Sequence, residues 1–157
     1  MPNHLQVIKA RRLKVGDEVL AVRAIETLIW PEERDNQIAS LEHMRKLLSH
    51  TDHYLIVACS GQQPLGFLLA YLFLRADRDA SMVYLYDICV DPAHRRQGVA
   101  TKMLDLLKKL CCDQNVHHIW VGTSDSNAEA RAFYETTGAQ EVSDNYVEFV
   151  YPRQNLT

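Results

Sequence analysis

The chain has 157 residues, 47% of them hydrophobic and 24% charged. That size and balance fit one ordinary globular domain, residues 1–157, and exclude a disordered chain, a collagen-like repeat and a disulfide scaffold. Twenty acids against seventeen bases leave a net charge of −3, which excludes a protein that holds nucleic acid mainly through its phosphates.

No apolar run reaches the ~18 residues of a membrane span. The opening Met1-Pro-Asn-His-Leu has no basic region ahead of an apolar core, so we expect no signal peptide, no membrane partner and a cytoplasmic location. Residues 5–10 read as a first strand. Over residues 16–30 the apolar Val19, Val22, Ile25 and Ile29 recur at helical spacing, and Pro31 stops the helix. Ser40 is a fitting N-cap for a second helix carrying Leu41, Met44, Leu47 and Leu48. Two strand-like runs follow, 53–60 and 65–75, joined by the hairpin signal Gly61-Gln-Gln-Pro64. A polar loop over 76–81 leads into a Tyr-, Val- and Ile-rich strand at 82–90.

Asp91-Pro92 breaks that strand, and His94-Arg-Arg-Gln-Gly98 reads as a loop. Residues 98–110 form an amphipathic helix pattern with Val99, Met103, Leu106 and Leu110 on one face. A strand at 117–123 comes next. Then comes a helix capped by Ser126 or Asn127, running to about Thr137 and closed by Gly138. The tail from 139 to 151 reads as one or two final strands. This order gives a mixed α/β layer fold.

Four cysteines and seven histidines raise the question of a metal. Cys111 and Cys112 are adjacent, Cys59 and Cys89 sit alone in apolar runs, and His50 and His53 lack further ligands at zinc spacing. We expect no metal and free thiols.

Charge is unevenly spread. Residues 91–110 carry five bases and two acids, whereas residues 111–157 carry two bases and seven acids. The basic block coincides with Val90-Asp-Pro-Ala-His-Arg95-Arg96-Gln97-Gly98-Val99-Ala100-Thr101, a strand, a basic loop and a helix that begins on small residues. A helix N-terminus offers unpaired N–H groups and partial positive charge, which suit a pyrophosphate. Gly98 and Ala100 allow close approach, and Arg95 and Arg96 add charge. Neither a Walker P-loop nor a GxGxxG dinucleotide fingerprint is present. A turn glycine beside a solvated basic face is the plainer reading of the same residues.

Residues 90–110 resemble the acetyl-CoA-binding motif of the GNAT superfamily of N-acetyltransferases. Asn127-Ala-Glu-Ala130-Arg-Ala-Phe133-Tyr134-Glu-Thr-Thr-Gly138 is similar to that superfamily's Asn-x-x-Ala-x-x-Phe-Tyr-x-x-x-Gly helix. Tyr84-Leu-Tyr86-Asp87-Ile88-Cys89-Val90 followed by Arg95-Arg-Gln-Gly98 is most similar to the type I aminoglycoside 3-N-acetyltransferases. The resemblance implies a mostly antiparallel, twisted sheet of six to seven strands, splayed at its centre and flanked by about four helices.

It also implies acetyl-CoA as donor and a small-molecule amine as acceptor, without a covalent acyl-enzyme, and it is compatible with a homodimer. The best acceptor is the 3-amino group of an aminoglycoside, which would give resistance. A polyamine, another small amine or a protein amine is the alternative with the same chemistry. A non-catalytic acyl-CoA-binding regulator is the alternative of another class. The strand ending at Val90 would splay and pair with the pantetheine arm, and an N–H of Ile88 or Cys89 would polarise the thioester carbonyl.

Asp87 is the first choice of base and Glu148 the second. Tyr134 would protonate the departing thiolate, Asn127 is a helix cap or a pantetheine contact, and Ala130 belongs to the same motif. Phe133 is expected in the core. By strand alternation Tyr84 and Tyr86 share one face and Asp87 the other, unless a bulge re-aims it. Acidic residues of the flanking segments, Glu33, Asp35, Asp125 and Glu148 among them, would join Tyr86 in binding a cationic acceptor. A solvated acidic surface is the competing reading.

Overall fold

In the computed structural model, which describes residues 7–142 and 152–155, one sheet runs in the order β1-β2-β3-β4-β5. Strands β1 (Ile8–Arg12), β2 (His53–Ser60), β3 (Gln63–Leu74) and β4 (Ser81–Val90) are successive antiparallel neighbours, and β5 (Val116–Trp120) lies parallel to β4. The sheet is mostly antiparallel, as expected. It has five strands among the described residues rather than six to seven. The final strands expected over 139–151 fall largely on residues 143–151, outside the described residues, and residues 139–142 form none. The chain divides into two compact units, Met1–Gly122 and Thr123–Thr157.

Within the first unit, strand alternation sorts the core onto two faces. Leu55 and Val57 of β2 and Phe67 of β3 join Leu13, Ala21, Ala24, Leu28 and Met44 in one cluster, beneath α1 (Glu18–Leu28) and α2 (Leu41–Ser49). The opposite parity, Tyr54, Ile56, Leu68, Ala70, Val83 and Leu85, is also buried. That face is covered by α3 (Val99–Cys112), which packs on β1 to β4. Each large apolar side chain taken out of water here contributes roughly 1.5–3 kcal/mol.

Two helix faces differ from the expected ones. The buried side of α1 is Ala21, Ala24 and Leu28, while Val19 is 68% exposed. Alanines let the helix lie close to the sheet, which the larger Val and Ile side chains do not. In α3 the buried stripe is Val99, Met103, Leu104, Leu107 and Cys111, so Leu106 and Leu110 sit at its margin. Ser40 caps α2 as expected, its Oγ accepting from the His43 N–H at 3.1 Å.

Gly66 shows why α3 approaches the sheet where it does. A Cβ at this position would lie 2.8 Å from the Cys89 carbonyl oxygen, 2.9 Å from Met103 Cε and 3.0 Å from Val99 Cγ1. Only a residue without a side chain lets the first turns of α3 seat against β3 and β4.

In the second unit α4 (Ala128–Thr136) is capped by Asn127, whose Oδ1 accepts from the Ala130 N–H at 3.1 Å. Gly138, at φ 95°, turns the chain out of the helix, and the Ala139 N–H donates to the Tyr134 carbonyl at 2.9 Å.

Candidate functional site

β5 pairs with β4 through Ser81↔Val116, Val83↔Ile119 and Tyr84↔Trp120 and no further. Residues 85–90 therefore have no strand partner on that side among the described residues. On the other side, the Asp91 N–H donates to the Leu65 carbonyl at 2.9 Å, and the register is one-to-one back to Leu69↔Asp87. The alternation of an antiparallel ladder then points the Cys89 N–H at Phe67 and the Ile88 and Val90 N–H groups away from β3. Of the two amides expected to face the donor, Ile88 faces the open side and Cys89 is turned into the sheet.

The register slips between Leu69 and Ala70, which pair with Asp87 and Leu85. Tyr86 is the extra residue of this β-bulge, and the bulge reverses the inside–outside phase of the strand. Leu85 sits opposite Ala70 on the α3 face. Asp87 sits opposite Leu69, a residue packed against the cluster under α1 and α2. Asp87 and Cys89 thus share the α1 side with Tyr84 and Tyr86, whose rings lie 6.1 Å apart. Simple alternation had separated them.

Burial pushes the Asp87 carboxyl up from its ordinary value. The Ile88 N–H works against that rise and the negative charge of Glu33 adds to it. Glu33 lies in a 3-10 turn, Pro31–Arg34, directly after α1, and Asp35 ends that turn in the left-handed region at φ 51°. The Cys89 thiol donates to the Leu28 carbonyl at 3.2 Å, and burial pushes its pKa up as well. A protonated, hydrogen-bonded thiol is a poor nucleophile.

The basic loop folds as a sequence of local caps. Asp91 Oδ1 accepts from the Ala93 N–H at 3.0 Å, and Oδ2 lies 2.9 Å from His94 Nδ1. Arg95 Nε reaches the Val90 carbonyl at 3.5 Å and Gln97 Nε2 the Ala93 carbonyl at 3.3 Å. Arg96 and Gly98 both adopt positive φ, 61° and 78°. The first helical bond of α3 runs from the Lys102 N–H to the Gly98 carbonyl at 3.0 Å, and the N-cap residue, Gly98, brings no side-chain cap. The amides of Val99, Ala100 and Thr101 precede that bond. A Cβ on Gly98 would meet nothing within 4 Å. The loop and first turn thus gather Arg95, Arg96, Gln97 and a helix N-terminus in open space, an arrangement suited to phosphate.

In the second unit Asn127 serves as the cap described above. Arg131 Nη1 lies 3.5 Å from the Asp125 carbonyl oxygen and 3.9 Å from its carboxylate, and Nη2 lies 2.9 Å from Glu141. The Tyr134 and Phe133 rings lie 5.5 Å apart. Both are half-buried, so Phe133 is not the fully buried core residue expected. Glu148 lies outside the described residues. Among the described residues no group of three or more His, Cys, Asp or Glu is placed to hold a metal ion. No helix among them is long and apolar enough to cross a membrane.

Sequence reasoning missed Gly66 and Trp120. An isolated glycine inside a long apolar strand was the signal for the first. Trp120 carried no local signal, because its partner Tyr84 is 36 positions away in sequence.

Residues 20–139 match the acetyltransferase (GNAT) family. The chain is 26% identical over 123 residues to the aminoglycoside N(6′)-acetyltransferase type 1 of Acinetobacter baumannii, covering 72% of this chain and 82% of that protein. It is 27% identical over 74 residues to the thialysine N-epsilon-acetyltransferase of Sus scrofa, 47% of this chain, and spans only 44% of that relative's length. Its fold matches the aminoglycoside acetyltransferase meta-AAC0020 from an uncultured soil metagenomic sample, solved with sisomicin, at a TM-score of 0.81 and 22% identity, over 92% of this chain and 95% of that one. The aminoglycoside relative named for a position is thus of the 6′ type, not the 3-N type the motif suggested. The chain belongs to the acetyltransferase (GNAT) family, whose members are N-acetyltransferases that draw on acetyl-CoA.

Proposed function

We propose that the chain moves acetyl from acetyl-CoA directly to a primary amine of an aminoglycoside, with the 6′-amino group as the site. The observation that carries this reading is the bulge at Tyr86. It brings a half-buried carboxylate, Asp87, to the α1 face of a strand whose other edge is left open beyond Tyr84. The 6′ position rests on the Acinetobacter baumannii relative.

Acetyl-CoA supplies an acyl group activated as a thioester. Arg95, Arg96, Gln97 and the amides of Val99, Ala100 and Thr101 would hold its phosphates, while Gly98 keeps the approach open. The outward groups of Ile88 and Val90 would pair with its arm as a strand would, and the Ile88 N–H would meet negative charge growing on the acyl oxygen. Asp87 accepts a proton from the acceptor's ammonium, so that the nitrogen lone pair forms the C–N bond as the C–S bond breaks. A carboxyl pushed up by burial is better matched to that task than an exposed one. Tyr134 would give its phenol proton to the leaving sulfur, and the second proton that the nitrogen sheds as the amide forms passes through solvent to restore the phenol.

A lysine-like small amine is the second reading, favoured by the match to the thialysine enzyme. A thiol-release assay with acetyl-CoA over neamine, sisomicin, spermidine, thialysine and a lysine peptide separates the two. Turnover on neamine and sisomicin supports the first reading. Turnover on thialysine alone overturns it in favour of the second. Coenzyme A binding with no turnover on any amine favours a non-catalytic acyl-CoA binder.

A further inference from the structure

Aromatic side chains line the α1 face of the sheet beside Asp87. The row begins on β2 at His53, whose ring meets Tyr71 of β3 edge-on at 4.9 Å. Tyr71 in turn meets Tyr86 of β4 at 5.8 Å. From Tyr86 the row continues to Tyr84 at 6.1 Å and to Trp120 of β5 at 4.5 Å. Register explains the alignment: Tyr71 is opposite Tyr84, and Tyr84 is opposite Trp120. The bulge then turns Tyr86 and Asp87 onto the side that Tyr84 already occupies.

One end of this row is open. Tyr86 is 62% exposed and Trp120 40% exposed. The Tyr84 and Trp120 rings stack at 4.5 Å with 31° between their planes, so each covers one face of the other and the exposed aromatic surface is that of Trp120 and Tyr86. Negative charge sits beside it, from Asp87 on the same strand and from Glu33, which acts on Asp87 across the gap after α1. Flat π-faces flanked by carboxylates match a ligand that combines ammonium groups with apolar C–H faces.

Resting on the function proposed above, we infer that Tyr86, Tyr84 and Trp120 form the platform that selects ring-bearing polycationic amines over linear ones. The saturated rings of such an acceptor lie against the aromatic faces, and its ammonium groups are met by Glu33 and Asp87. A linear polyamine brings the charge but no ring face, so it forgoes the aromatic part of the contact. Tyr86 and Trp120 are thereby specificity-determining residues, distinct from the donor loop at residues 95–101.

The test compares neamine, an aminated two-ring acceptor, with spermidine, a linear triamine, at saturating acetyl-CoA on the full chain. Trp120→Ala and Tyr86→Ala are expected to raise KM for neamine about three- to tenfold, the range of a ring face packed on an aromatic one. KM for spermidine and for acetyl-CoA should each change less than about twofold, since neither relies on the platform. Trp120→Phe keeps a ring and should recover most of the neamine affinity. Equal losses for both amines, or no loss for neamine, overturn the platform.

Binding keeps this question separate from turnover. Trp30 and Trp120 are the two tryptophans of the chain, so Trp30→Phe leaves fluorescence that reports the platform alone. If wild type acetylates neither amine, saturable quenching by neamine that Tyr86→Ala weakens still supports the platform and overturns only the proposed reaction. Absence of quenching overturns the platform itself.

Discussion

Gly66→Ala is a sharp test of how the sheet carries the proposed donor site, because two effects of opposite sign compete. Gly66 does not occupy the positive-φ region, so alanine can adopt its backbone conformation. Reduced freedom of the unfolded chain alone would then stabilise the variant by about 0.4–1 kcal/mol. Against this, the new Cβ would lie 2.8, 2.9 and 3.0 Å from Cys89 O, Met103 Cε and Val99 Cγ1. Ordinary contact demands about half an ångström more from each. Met103 Cε is the end of a flexible side chain and can retreat. The Cys89 oxygen is held in the β3–β4 ladder, and Val99 opens α3, so these two cannot yield without moving the strand or the helix.

Overpacking of this kind costs about 1–3 kcal/mol, so the net sign is destabilising. The melting temperature should fall by roughly 2–10 °C for a chain of this size. Displacing the start of α3 should also raise KM for acetyl-CoA more than it lowers kcat. Thermal unfolding with and without coenzyme A, together with steady-state kinetics, reads both effects. A higher melting temperature with an unchanged donor KM would refute the close-approach argument.

Asp87→Asn tests the base. Burial raises the folded carboxyl above its unfolded value, so the native state binds the proton more tightly, and stability is lost as pH climbs from the unfolded value through the raised one. The variant should therefore melt higher than wild type at about pH 7.5 and at the same temperature near the acid end of that window. Its kcat should fall about 10²- to 10⁴-fold; a rate within twofold of wild type would remove Asp87 from proton transfer. Replacing both Arg95 and Arg96 with Ala should raise KM for acetyl-CoA about tenfold or more while leaving acceptor KM in place, and an unchanged donor KM would move the phosphates elsewhere. Tyr134→Phe should lower kcat about tenfold or more with little change in coenzyme A affinity measured by calorimetry. Equal kcat would exclude its hydroxyl as the thiol-side acid.

The shape of the 91–98 loop and the start of α3 was legible because its information is local. A glycine, two arginines and a run of small residues at a helix start describe a phosphate-suited terminus before any tertiary contact is known. Strand β2 and the Ser40 cap were legible for the same reason. The face of α1 was legible in part: Val22, Ile25 and Ile29 pack against the core cluster as their periodicity suggests, but the fully buried side is Ala21, Ala24 and Leu28, small residues that a search for large side chains passes over. Nor could the side of Asp87 be read from β4 alone: the bulge exists only in its pairing with β3, and one inserted residue reverses every side chain beyond it. Trp120 joins Tyr84 only because β5 returns parallel after α3. The residues proposed for the acceptor come from separate elements, which is why the amine is harder to read than the donor.

The central claim is direct transfer of acetyl to an aminoglycoside amine, and the product itself tests it. Wild-type protein incubated with acetyl-CoA and neamine should yield a singly acetylated neamine whose NMR spectrum places the new amide on the 6′ nitrogen, at a rate that falls with Asp87→Asn. Acetylation at the 3-amino group would contradict the proposed position. Unmodified neamine, under conditions in which the same protein acetylates thialysine, would contradict the claim outright.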